Sequence, residues 1–133
     1  MTLLEQFIQQ YRNKPFSWGQ LDCCLFAANW IAMNSDDDMA ASFRGRYKTA
    51  LGAKRLLAKN GFKNVNAVAQ AYLGQSIAPL LLLRGDIALV SPPRSEPALG
   101  IVAGHGVWVM TYEGVMLVPM RLVTNGWRLP CRQ

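Results

Sequence analysis

The sequence is poor in the groups that most catalytic chemistry needs. It holds one histidine, three cysteines and eight acidic residues among 133. A single histidine, His105, leaves one candidate for an imidazole base. No cysteine–histidine cluster has zinc spacing, so neither a structural metal nor another cofactor is expected. Long apolar runs are also missing. The longest, Ile77 to Leu83, is interrupted by Pro79 and ended by Arg84, far short of the roughly 20 residues that span a bilayer. The N-terminus carries Glu5 and shows neither a basic leader nor a small-residue cleavage site, so no signal peptide and no membrane span are expected. Repeats, low-complexity tracts and linkers rich in glycine, serine or proline are absent, and one domain over residues 1–133 is the simplest division.

Disulfides are not expected either. Cys23 and Cys24 are adjacent, a spacing that rarely pairs, and Cys131 leaves the count odd. Reduced thiols and synthesis in a cytoplasm follow.

Apolar residues make up 51% of the chain and charged ones 17%, enough to bury a core and too little charge for a disordered segment. The net charge of +6 favours anionic partners such as nucleic acid, lipid headgroups or cell-wall polymer. Yet Arg44, Arg46, Lys48, Lys54, Arg55 and Lys59 also suit the wet side of a helical segment. No groove-reading motif accompanies them, so a nucleic-acid partner is not expected. An acidic cluster, Asp36 to Asp38, precedes this basic stretch.

The first half reads as helices. Thr2 with Glu5 forms a capping box ahead of Leu3, Leu4, Phe7, Ile8 and Tyr11 at helical spacing, and Pro15 stops that helix. A second helix begins near Asp22, with Cys23, Phe26, Ala27, Trp30 and Ile31 on one face, and ends at Asn34 and Ser35. Thr49 to Asn60 fits a third helix stopped by Gly61, and Asn64 to Leu73 a fourth closed by Gly74. The second half changes period. Asp86–Val90, Leu99–Ala103, Val107–Thr111, Val115–Pro119 and Trp127–Pro130 are short runs suited to strands. Pro92-Pro93, Gly104-His105-Gly106, Glu113-Gly114 and Asn125-Gly126 read as the turns between them. Helices followed by an antiparallel meander predict an α+β domain.

The stretch most suggestive of chemistry is Phe16-Ser17-Trp18-Gly19-Gln20-Leu21-Asp22-Cys23-Cys24. It places a thiol at the start of an apolar helix. First-turn amides and the helix dipole favour a thiolate there, and the same amides suit an oxyanion during acyl transfer. Cysteine is also among the most often buried residues, and Cys23 falls on the apolar face, so plain packing is the competing reading. Cys24 points elsewhere and reads as packing. Asp22 reads as a helix cap, Asp86 as the anchor of the turn before its strand, and Glu113 as a turn residue.

Trp18-Gly19 followed by Asp22-Cys23 resembles the nucleophile motif of NlpC-type, papain-like cysteine peptidases. Arg84-Gly85-Asp86-Ile87-Ala88-Leu89-Val90 resembles that family's Gly-Asp strand, and Ala98-Leu99-Gly100-Ile101-Val102-Ala103-Gly104 the following strand that bears its histidine. The chain is also similar to an uncharacterised group of tailed-phage and prophage proteins that share Arg44-Gly45-x-Tyr47 and Gly126-Trp127-Arg128. The resemblance implies a papain-like α+β fold, N-terminal helices packed on a C-terminal antiparallel sheet. It implies Cys23 as candidate nucleophile, Asp22 as its neighbour, and a cleft lined by Trp18, Gly19 and Ala98. The histidine position falls on Ala98, and the position that orients the imidazole falls near Met110. Neither serves as a base. His105 lies seven strand residues from position 98, on the order of 20 Å away at about 3.3 Å per residue, whereas a base must approach its nucleophile to roughly 3 Å. The expectation is therefore a phage tail component, at the tail tip or baseplate or in tail assembly, that has lost turnover. It would be made in the host cytoplasm and carried into the virion, binding neighbouring tail subunits, with cell-wall peptide as a further ligand of the cleft. The competing expectation is an active cysteine hydrolase that cleaves peptidoglycan peptide bonds through Cys23.

Overall fold

The computed structural model describes residues 1–130; Cys131 lies outside the described residues. Four helices come first, α1 (Leu3–Tyr11), α2 (Leu25–Asn34), α3 (Ala50–Lys59) and α4 (Val65–Leu73). Five strands follow, β1 (Ile87–Val90), β2 (Ala98–Val102), β3 (Val107–Thr111), β4 (Gly114–Val118) and β5 (Val123–Trp127). The expected α+β architecture is present.

Local chemistry sets the helix ends. The Thr2 hydroxyl accepts the Glu5 amide while the Glu5 carboxylate accepts the Thr2 amide, a reciprocal capping box. Thr49 and Asn64 cap α3 and α4 by accepting the amides of Gly52 and Ala67. Gly61 and Gly74 follow with φ of +85° and +90°, a backbone shape that costs glycine little. Helix α2 starts at Leu25, later than the expected Asp22, because Asp22 is spent on capping. Leu25, Phe26, Ala27, Ala28, Trp30 and Ile31 are all buried, so the first two turns of α2 are sunk in the core, and Met33 near its end is exposed. The Trp30 indole donates to the Gly85 carbonyl at 2.8 Å, which satisfies its buried N–H and pins α2 to the entry of β1. The basic residues Arg44, Arg46 and Lys48 precede α3 in irregular chain, so only Lys54, Arg55 and Lys59 lie on a helix.

The sheet order is β4-β3-β2-β1-β5. The first four strands form the expected meander, but β5 crosses to the far side and pairs antiparallel with β1. This corrects two expectations. The last strand ends at Trp127 where it was expected to begin, and Asn125-Gly126 lies inside that strand, not in a turn. The reason is space. A Cβ on Gly126 would sit 2.5 Å from the Ile87 carbonyl oxygen and 2.7 Å from Leu82, so glycine is required for close approach, not for chain reversal.

Both sheet faces are covered. Ile87, Leu89, Leu99, Ile101, Met110 and Trp127 face the helices. Ala88, Val90, Val102, Val107, Val109 and Val123 form a second, smaller core closed by Leu82, Val118, Met120 and Leu122. Two-sided burial explains why β1 and β2 read as continuous apolar runs instead of alternating ones. The packed interior fixes the start of α2 against β2 and β3.

Candidate functional site

Asp22 organises the site. Its side chain is 1% exposed and all its capacity is used. One carboxylate oxygen accepts the amides of Cys24 and Leu25, each at 3.0 Å. The other accepts the Gly19 amide at 3.0 Å and the Tyr47 hydroxyl. A single buried carboxylate thus caps α2, closes the Trp18–Gly19 loop and anchors the segment before α3. Gly19, at φ +81°, lies so close to Tyr47 that a Cβ would come within 2.1 Å of its carbonyl oxygen. The Gly45 amide donates to the Gly19 carbonyl at 2.8 Å. The Trp-Gly and Arg-Gly-x-Tyr segments are therefore two halves of one clamp.

This clamp alters the expected chemistry of the helix start. The amides of Cys24 and Leu25 belong to Asp22, and the Phe26 amide bonds the Asp22 carbonyl at 3.2 Å. These first-turn donors are not free for a thiolate or an oxyanion. Asp22 itself is saturated and is not a general base.

Cys23 stands where two lobes of a cleft meet. The larger, about 480 Å³, runs from Phe16, Trp18 and Tyr112 across Ala98, Val109 and Met116. The smaller, about 380 Å³, lies between α3 and the β1–β2 loop and ends at Asn66 and Asn125. Asn125 donates its side-chain amide to Asn66 at 3.1 Å. Beneath both cysteines is an apolar pocket of about 80 Å³ walled by Ala28, Met39, Phe43, Leu57 and Val68. Rings frame the opening: Phe16 packs on Trp18 at 4.9 Å and on Tyr112 at 4.7 Å, and Trp18 lies 6.4 Å from Tyr47.

The positions read from the sequence gather here. Trp18, Cys23, Ala98 and Met110 line the same lobe, whereas Gly19, expected in the cleft, does not line it and packs against the Tyr47 backbone. Ala98 is nearly buried and Met110 is fully buried. His105 lies elsewhere, in a separate pocket with Arg12, Arg84 and Trp108. Three contributors, Tyr112, Lys54 and Glu96, had no site signal in the sequence, and Tyr47 stood out only within Arg44-Gly45-x-Tyr47. Tyr47 reaches Asp22 from 25 residues away. Tyr112 completes the aromatic rim. Lys54 and Glu96, 42 residues apart, form a 2.9 Å ion pair at the smaller lobe, and Glu96 lines both lobes. Cys24 does more than pack, because it lines the cleft beside Cys23.

Two protonation equilibria are displaced. The Cys24 thiol is pushed well above its ordinary value, first by its hydrogen bond to Cys23 and then by burial, with the charge on Asp22 adding to the effect. Tyr47 is pushed up strongly, by burial first and then by its bond to the Asp22 carboxylate. Both groups stay protonated in the folded protein at ordinary pH, so Tyr47 acts as a donor to Asp22 and Cys24 as a neutral thiol.

Among the described residues, no helix is long and apolar enough to cross a membrane. No curated protein matches the chain. Residues 1–129 match the family described as Domain of unknown function (DUF6950), and the chain belongs to that family.

Proposed function

We propose that the cleft at Cys23 is a binding site that no longer carries out turnover, in a phage tail component with a degenerate NlpC-like cysteine-peptidase fold. The observation that carries this reading is the company Cys23 keeps. The strand positions that approach it are Ala98 and Met110, and the chain's one histidine is in another pocket. A thiol with no base beside it is a poor nucleophile for acyl transfer. What remains is a cleft rimmed by the rings of Phe16, Trp18 and Tyr112, suited to holding a chain segment of a neighbouring tail subunit, or cell-wall peptide, by packing.

The test is co-purification. An affinity-tagged chain, produced alongside the tailed phage or prophage that encodes it, is expected to retain tail structural proteins identified by mass spectrometry. Cys23→Ala should retain them equally, and Trp18→Ala should lose them by more than tenfold. Recovery of no tail protein, or loss of the complex in Cys23→Ala, contradicts the proposal.

A second reading, an active cysteine hydrolase acting on peptidoglycan peptide bonds, draws on one observation. Glu96 is a carboxylate lining both lobes with Cys23. Its carboxylate is largely solvent-exposed in a surface pair with Lys54 at 2.9 Å, and no described hydrogen bond joins it to Cys23, which favours the binding reading.

A further inference from the structure

We propose that Cys23 and Cys24 form a two-sulfur site for a trivalent organoarsenical, an arsenic centre with one carbon substituent and exchangeable oxygen. The site is a property of the thiol pair and does not depend on the tail reading. Both cysteines are free and partly exposed, and both line the smaller lobe and the apolar pocket beneath it. The Cys24 thiol is hydrogen-bonded to Cys23. The two sulfurs therefore stand side by side in the folded chain, facing the same space.

The number of donors narrows the ligand. Sulfur donors select soft centres, and this site offers two. Among the described residues no group of three or more histidine, cysteine, aspartate or glutamate side chains could hold a metal ion. The neighbouring carboxylate, Asp22, already accepts from Gly19, Cys24, Leu25 and Tyr47. A zinc ion, which takes four ligands, is left half coordinated. Inorganic arsenite exchanges its oxygens for three sulfurs and lacks the third. An organoarsenical needs only two.

Proton balance agrees. Metal dications must displace the protons of the thiols they bind, and Cys24 holds its proton through its bond to Cys23 and its burial. An arsenoxide meets no such penalty. It reacts with two S–H groups to give a dithiolate of arsenic and one water. Two arsenic–sulfur bonds form, the arsenic–oxygen bonds break, both thiol protons leave on the oxygen, and nothing is oxidised or reduced. The second arsenic–sulfur bond is intramolecular, so the pair outcompetes a single thiol in solution. The carbon substituent has room on two sides. An apolar pocket of about 80 Å³ lies beneath the sulfurs, walled by Met39, Phe43 and Leu57, and the lobe of Phe16, Trp18 and Tyr112 opens beside Cys23.

The probe is phenylarsine oxide, with binding read by intact-mass spectrometry and thermal melting. The wild type should take up one phenylarsenic unit, keep it in excess β-mercaptoethanol and release it to dimercaptopropanol. Sodium arsenite should bind at least tenfold more weakly. Occupation of the folded pair should raise the melting temperature, since a ligand held by the native state stabilises it. Cys131→Ser should match the wild type, whereas Cys23→Ser and Cys24→Ser should each lose at least tenfold in affinity. The proposal is overturned by the absence of an adduct, by one that the monothiol removes, or by one that persists in either of those two variants. Equal affinity for arsenite, or a melting temperature lowered by the adduct, overturns it as well. Should the variants fail to fold, a digest of the wild-type adduct decides. Arsenic is expected on the peptide that carries Cys23 and Cys24, and arsenic on the peptide that carries Cys131 contradicts the assignment.

Discussion

Asp22→Ala is expected to destabilise the fold by about 4 kcal/mol, a large part of the 5–15 kcal/mol typical of a domain. The substitution strands the amides of Gly19, Cys24 and Leu25 and the hydroxyl of Tyr47. Each buried donor left without an acceptor costs about 1–3 kcal/mol, and relaxation of the loop makes the sum less than additive. Tyr47→Phe removes one of the four bonds and should cost about 1–2 kcal/mol. Denaturant unfolding of the two variants checks both numbers. A loss below about 1 kcal/mol for Asp22→Ala contradicts the role of Asp22 as the clamp on which the cleft is built.

Stability should also fall steeply at alkaline pH, through Cys24. Its folded-state pKa is raised, so the stability it contributes is complete below the unfolded thiol value, about 8.5. Above that pH the unfolded chain releases a proton that the folded chain keeps. Folding stability then drops by up to about 1.4 kcal/mol per pH unit for this one group. Tyr47 adds to the loss above about pH 10, where unfolded tyrosines ionise. Melting temperatures measured from pH 7.5 to 10.5 should fall for the wild type and fall much less between 8.5 and 10 for Cys24→Ala. Equal slopes in that window contradict the assignment.

Features that depend on neighbours in the chain were legible in the sequence. Thr2 with Glu5, Thr49 and Asn64 fix helix starts, and Gly61 and Gly74 fix helix ends, through atoms three or four residues away. The site's thiol was legible because Trp18-Gly19 and Asp22-Cys23 are contiguous. What required the fold was long-range. The Tyr47 bond to Asp22 and the Lys54–Glu96 pair join segments that leave no local pattern. Asn125-Gly126 misled for a related reason: the same dipeptide that makes a hairpin turn also provides room for close approach, and Leu82 and Ile87 decide which. The occupied amides at the start of α2 were legible in part: Asp22 read as a helix cap, but a thiolate-stabilising helix start has the same residues in the same order, and only the fold shows that the carboxylate takes the amides of both Cys24 and Leu25.

The central claim is that Cys23 lies in a cleft that binds but does not cut. Its most direct test is exposure of purified peptidoglycan and its isolated stem peptides to the wild-type protein, Cys23→Ala and Glu96→Gln, with products resolved by mass spectrometry. The account predicts that all three match a protein-free control. Fragments released by the wild type and absent with Cys23→Ala would contradict it and establish a working thiol hydrolase.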